Sequence, residues 1–131
     1  LASYKHFYEL PVYKACRNFR KEVSELVKSS YPKDEKYLLT AQTLDAVRSV
    51  TANIAEGFGR FHYQENIQFC RQSRGSLSEV MEHLITAYDD KYISKATLTD
   101  LNKTYKRCLK EINGYIKYLK TAKAKPIIKN E

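Results

Sequence analysis

The hydrophobic positions of this chain return in four stretches, each with the rhythm of a helix. From about Pro11 to Ser29, Val12, Cys16, Phe19, Val23 and Leu26 recur at alternating spacings of four and three, which places them on one helical face. Lys14, Lys21 and Lys28 fall on the far side. From about Asp34 to Glu56, Leu44, Val47, Thr51 and Ile54, followed by Phe58, mark a second face, widened by Leu38, Ala41 and Val50. From about Tyr63 to Lys91, Ile67, Cys70, Arg74, Leu77, Met81, Leu84 and Tyr88 keep a heptad in which Arg74 is the one polar member. From about Lys95 to Ala122, Leu98, Leu101, Tyr105, Cys108, Ile112, Tyr115 and Leu119 fill every seam position, and Leu109 and Ile116 broaden the face.

The breaks between these stretches have physical causes. Pro11 suits a first helical turn, where its missing N–H is not needed. Pro32 disfavours helix at Tyr31, and Asp34 and Glu35 suit the positive end of the next helix. Gly57 and Gly59 are expected to supply a left-handed stop, and Ser94 an N-cap. No alternating stretch predicts a strand. Segments of roughly 20 to 29 residues give rods about 30–40 Å long, and short connections make neighbours antiparallel. The pattern predicts an all-α fold, an antiparallel up-down-up-down four-helix bundle. It forms a single domain over residues 1–131, with helices at about 11–29, 34–56, 63–91 and 95–122 and a basic tail at 123–131.

Charge adds direction to this picture. The chain carries +8, but residues 1–94 hold 13 basic and 12 acidic side chains while residues 95–131 hold 10 and 3. Lys103, Lys106, Lys110, Lys117 and Lys120 fall opposite the seam of the fourth helix, as candidate contacts to the phosphates of RNA or DNA. A solvated, solubilising face would look the same. No base-reading motif accompanies the lysines, so little sequence specificity is expected.

Other chemistry is sparse. His6, His62 and His83 have no second histidine at ligand spacing, so no metal and no cofactor is expected. Cys16, Cys70 and Cys108 are odd in number, widely spaced and on apolar seams, which suits buried thiols in a reducing cytoplasm. No nucleophile has a base beside it, so no enzyme activity is expected. No apolar run approaches the roughly 20 residues of a membrane span, and residues 1–10 hold no apolar signal core.

The stretch Asn53-Ile54-Ala55-Glu56-Gly57-Phe58-Gly59-Arg60 resembles the signature of bacterial four-helix-bundle proteins encoded within intervening sequences of large-subunit rRNA genes. Leu10 to Ala15, Tyr31 to Glu35 and Gly75 to Glu79 resemble that family's opening, its turn before helix two and its helix-three motif, so that the likeness covers about residues 7–93. Leu44 and Asp45 stand where the family often carries paired arginines, Thr51 where it often has proline, and Asn66 where an aromatic is usual. The resemblance implies a homopentamer with a basic surface or central channel, no established activity, and nucleic-acid binding as the conjectured role. The architecture is also similar to that of the accessory protein of diversity-generating retroelements, which works beside a reverse transcriptase.

Heptad positions place Ser49, Ala52, Asn53 and Glu56 on the outer side of helix two, and Phe69, Gln72, Ser76 and Glu79, with Gly75 beside them, on the outer side of helix three. Two readings stay open for this surface. One is a subunit interface that includes Asn53, Glu56, Gly57, Gly59, Arg60, Phe69, Gly75, Ser76 and Glu79. The other is a wide core face within one chain. Two functions stay open as well: an oligomer that binds nucleic acid, or an adaptor that meets an acidic partner or a nucleic-acid-processing enzyme.

Overall fold

The computed structural model describes residues 4–124. Four helices are present among them, α1 Pro11–Ser30, α2 Leu39–Gly59, α3 Tyr63–Asp89 and α4 Lys95–Ala124, with 3-10 turns at Phe7–Glu9 and Lys33–Glu35. The rest of the expected basic tail, from residue 125, lies outside the described residues.

Side-chain contacts fix the topology. Between α2 and α3 they join Ser49 to Ser76, Val50 to Ser73, and Gly57 to Asn66 and Phe69, so one helix rises as the other falls. Arg20 with Thr51 and Tyr31 with Thr43 pair α1 and its C-cap antiparallel to α2. Asn66 with Tyr115 and Arg74 with Asn113 do so for α3 and α4, and Ala15 with Cys108 and Glu22 with Thr104 for α1 and α4. Each helix lies beside two neighbours, and the backbones of the diagonal pairs stay apart. This is the up-down-up-down bundle that the periodicity predicts.

The core draws on all four helices. Phe19, Val23, Val47, Val50, Ile54, Leu77, Val80, Leu84 and Ile112 have no accessible surface, and each such side chain contributes about 1.5–3 kcal/mol on burial. The polar groups among them are all matched. Thr43 donates to the Leu39 carbonyl at 2.7 Å, Ser73 to the Val50 carbonyl at 2.6 Å, and Arg20 to Thr51 Oγ1 at 2.8 Å. No buried side-chain donor or acceptor among the described residues lacks a partner.

Several local expectations need correction. Helix two starts at Leu39, not Asp34. Lys33–Glu35 forms a separate 3-10 turn because Glu35 accepts a hydrogen bond from the Tyr92 hydroxyl at 2.9 Å, while the Tyr92 ring packs on Tyr31 at 5.9 Å. That clamp ties the first connection to the third and holds the acids away from the α2 terminus. Gly57 and Gly59 do not stop helix two in a left-handed conformation. Both lie inside α2 with negative φ, and Phe61 takes the left-handed position instead, with φ 59°. Lys91, with φ 66°, lies past the end of α3 at Asp89. The seam of α3 is also rotated. Ser73, Val80 and Ala87 are buried, whereas Arg74 and Met81 are half-buried and Tyr88 is exposed. Ser94 caps α4 as expected, accepting from the Thr97 N–H at 3.1 Å.

Candidate nucleic-acid interface

At about 100° per residue, Lys103, Lys106, Lys110, Lys117 and Lys120 share one arc of α4, and all five are exposed. The buried Leu101, Cys108, Ile112 and Leu119 face away from that arc. The two acids of α4 do not share it either. Asp100 lies one turn before Thr104, whose hydroxyl donates to Glu22 of α1, and Glu111 lies two turns after Thr104 on the same edge. Among the described residues, none of the five lysines is held in an ion pair. The stripe is a line of positive charge without neutralising carboxylates on its own helix face.

Two residues that the periodicity hid extend this face. Arg74, read from sequence as a seam residue, lies at the α3–α4 surface and donates from Nη1 to Asn113 Oδ1 at 2.8 Å. The seam position belongs to Ser73, whose hydroxyl is satisfied by the Val50 carbonyl. One turn earlier, Arg71 lines a groove of about 300 Å³ with Lys120 and Lys123, and Lys123 donates to Gln64 across it. The basic surface therefore spans the α3–α4 groove as well as α4. The signal in the sequence is the Arg71 and Arg74 pair three residues apart, which falls on one helix edge.

The signature residues sit elsewhere, around the α2–α3 junction. Asn53 donates to the carbonyl and hydroxyl of Ser49 at 2.8 and 2.9 Å, and Ser49 Oγ lies 2.9 Å from Ser76 Oγ. A Cβ added at Gly57 would lie 2.7 Å from Asn66 Oδ1 and 2.8 Å from Phe69 Cβ. Phe69, expected on the outer face, is instead half-buried against α2, with the Arg60 guanidinium 5.2 Å above its ring. Arg60 also pairs with Glu56 at 3.0 Å and Glu65 at 3.6 Å, half-exposed contacts worth about 0.2–1 kcal/mol each. Gly59, Gly75 and Glu79 remain exposed, with Glu79 3.3 Å from His83 Nε2. Ser49, Gly57, Phe69 and Ser76 thus pack one chain's own helices together, with Asn53 bonded to Ser49 on its own helix, whereas a Cβ added at Gly59 or Gly75 would meet nothing within 4 Å.

Thiol chemistry is suppressed. Cys16, Cys70 and Cys108 are free and buried. Burial pushes the Cys70 thiol up to about 12, and the neighbouring Cys108 thiol together with burial drives Cys16 well above the ordinary range. At neutral pH neither supplies a thiolate nucleophile.

The family model of the 23S rRNA-intervening sequence protein matches residues 8–114. The chain belongs to this family. No curated protein matches it. The match to the 23S rRNA-intervening sequence protein covers α1 to α3 and runs through α4 as far as Gly114. It extends past the motif-based likeness because α4 has periodicity but no short signature. Lys103, Lys106 and Lys110 fall inside the matched region, and Lys117 and Lys120 beyond it.

Proposed function

We propose that this chain is a non-enzymatic, homo-oligomeric protein of the cytoplasm that binds RNA or DNA through phosphates with little sequence specificity. The observation that carries the reading is the exposed α4 stripe, free of acids on its own face and flanked by Arg71 and Arg74. Lysine is a hydrated point charge that attracts phosphate without reading bases, and each phosphate neutralised releases counterions. Assembly would multiply the field. A pentamer is the form that the family resemblance supports, and buried free thiols suit a reducing compartment.

Fluorescence anisotropy with labelled RNA and DNA tests the reading. Affinity should fall steeply with salt, with a log–log slope of about −0.7 to −0.9 per phosphate neutralised. Replacing Lys106, Lys110 and Lys117 by Glu should weaken binding about equally for unrelated sequences while leaving the fold intact. Absence of binding at low salt would reject the stripe as a nucleic-acid surface and leave the basic face to an acidic protein partner.

A further inference from the structure

At one end of the bundle, the start of the chain and the ends of α2, α3 and α4 enclose a cleft of about 530 Å³ with an unusual lining. Six phenylalanine and tyrosine rings line it, among them Phe58, Phe61, Tyr63, Tyr115 and Tyr118, together with the charged Lys5 and Glu111. Three of these rings are open to solvent. Phe61 is 85% exposed, Tyr63 49% and Tyr118 39%. Phe61 also occupies the left-handed region at φ 59°, a conformation that bulky side chains rarely adopt. Folding therefore places an aromatic ring in water on a disfavoured backbone, where a polar residue or glycine would serve the turn better. The deeper ring is fixed, since Tyr115 accepts a hydrogen bond from Asn66 at 3.0 Å and lies nearly parallel to Tyr118, with centroids 6.2 Å apart.

The cleft adjoins the basic stripe. Gly114 lines it and lies one helical turn after Lys110 and one turn before both Lys117 and Tyr118. A polyanion laid along the lysines would pass the open rings. We infer that this cleft is a stacking site for the unpaired bases of single-stranded nucleic acid, which gives the protein a preference for single strands over duplex. The charge beside the cleft selects a polyanion, and the exposed rings select flat apolar faces. Unpaired bases on a phosphate backbone offer both, while a duplex keeps its bases stacked within itself. The inference rests on the phosphate-binding reading above.

The test compares labelled 12-nucleotide oligo(A), an abasic strand of the same length, and a 12-base-pair duplex. Phe61→Ala with Tyr118→Ala should lower oligo(A) affinity about 10- to 100-fold and leave duplex and abasic binding and the salt dependence unchanged. The chain has no tryptophan. In Phe61→Trp the new indole should keep the preference for oligo(A) and be quenched by oligo(A) but not by the abasic strand. Circular dichroism checks the fold of each variant. Equal wild-type affinity for all three probes, or oligo(A) binding unmoved by the double alanine variant, overturns the stacking site while phosphate binding stands. A smaller species in sedimentation with unchanged oligo(A) affinity assigns the cleft to a second copy of the chain and also overturns it. No binding of any probe at low salt removes both readings.

Discussion

At the scale of single residues, two glycines of similar helical setting have opposite surroundings. At Gly57 α3 lies close against α2, and any Cβ there meets Asn66 and the Phe69 Cβ below ordinary contact distance. Gly57→Ala must push the helices apart or displace Asn66, which is itself bonded to Tyr115 and Cys70. A loss of about 1–3 kcal/mol is expected, read as a lower midpoint in urea at unchanged slope. Gly59→Ala meets open space at the end of the same helix, so that it should be neutral or stabilise by up to about 1 kcal/mol. The presence of glycine in the signature was legible in the sequence, but its reason was not. A helix stop and a close helix crossing both call for glycine, and only the neighbours of the missing Cβ distinguish them.

At the scale of elements, the number, order and approximate bounds of the helices were legible because long amphipathic segments dominate the chain. The interior faces of α1 and α4 matched closely, Val27 replacing Leu26 as the buried residue at the end of α1. The phase of α3 was misread. Arg74, Met81 and Tyr88 keep strict heptad spacing, but Ser73, Val80 and Ala87, one position earlier, bury better against α2 because two are small and Ser73 finds a carbonyl. The start of α2 was also illegible, since it depends on the Glu35–Tyr92 bond between residues far apart in sequence. Burial of tyrosines at the helix ends has a pH consequence. Tyr115 is pushed up to about 12, chiefly by desolvation, and Tyr31 is raised for the same reason. The folded state thus holds these phenols neutral more strongly than the unfolded chain does. Their contribution is fully present below the ordinary phenol value of about 10 and is lost as pH rises above it, for Tyr115 through about 12. An absorbance titration of tyrosinate should show late-titrating rings whose ionisation coincides with loss of helical circular dichroism. Tyr115→Phe should remove one late phenol from that titration.

At the scale of the whole molecule, the basic face and the signature face are separate surfaces, and each has a variant that isolates it. Arg74 belongs to the basic face through Asn113. Arg74→Glu should therefore weaken nucleic-acid binding and reduce the salt slope by about one phosphate, with little change in melting temperature. Gly75 isolates the other surface. It lies in the middle of α3, is exposed, and has nothing in its own chain within 4 Å of a Cβ. A glycine there costs the helix about 0.5–1 kcal/mol relative to alanine, and no contact within the chain accounts for that cost. Close approach of a second copy would. Ser76 cannot test this, because it faces Ser49 within the chain and a bulky residue there would part α2 from α3. Gly75→Lys can. It should leave helical content and monomer stability at or above the parent value, while sedimentation shifts from the oligomer to a smaller species. If the variant sediments as the parent does, the surface around Gly75 is not where copies meet, and a parent that itself sediments as a monomer overturns the proposed assembly altogether.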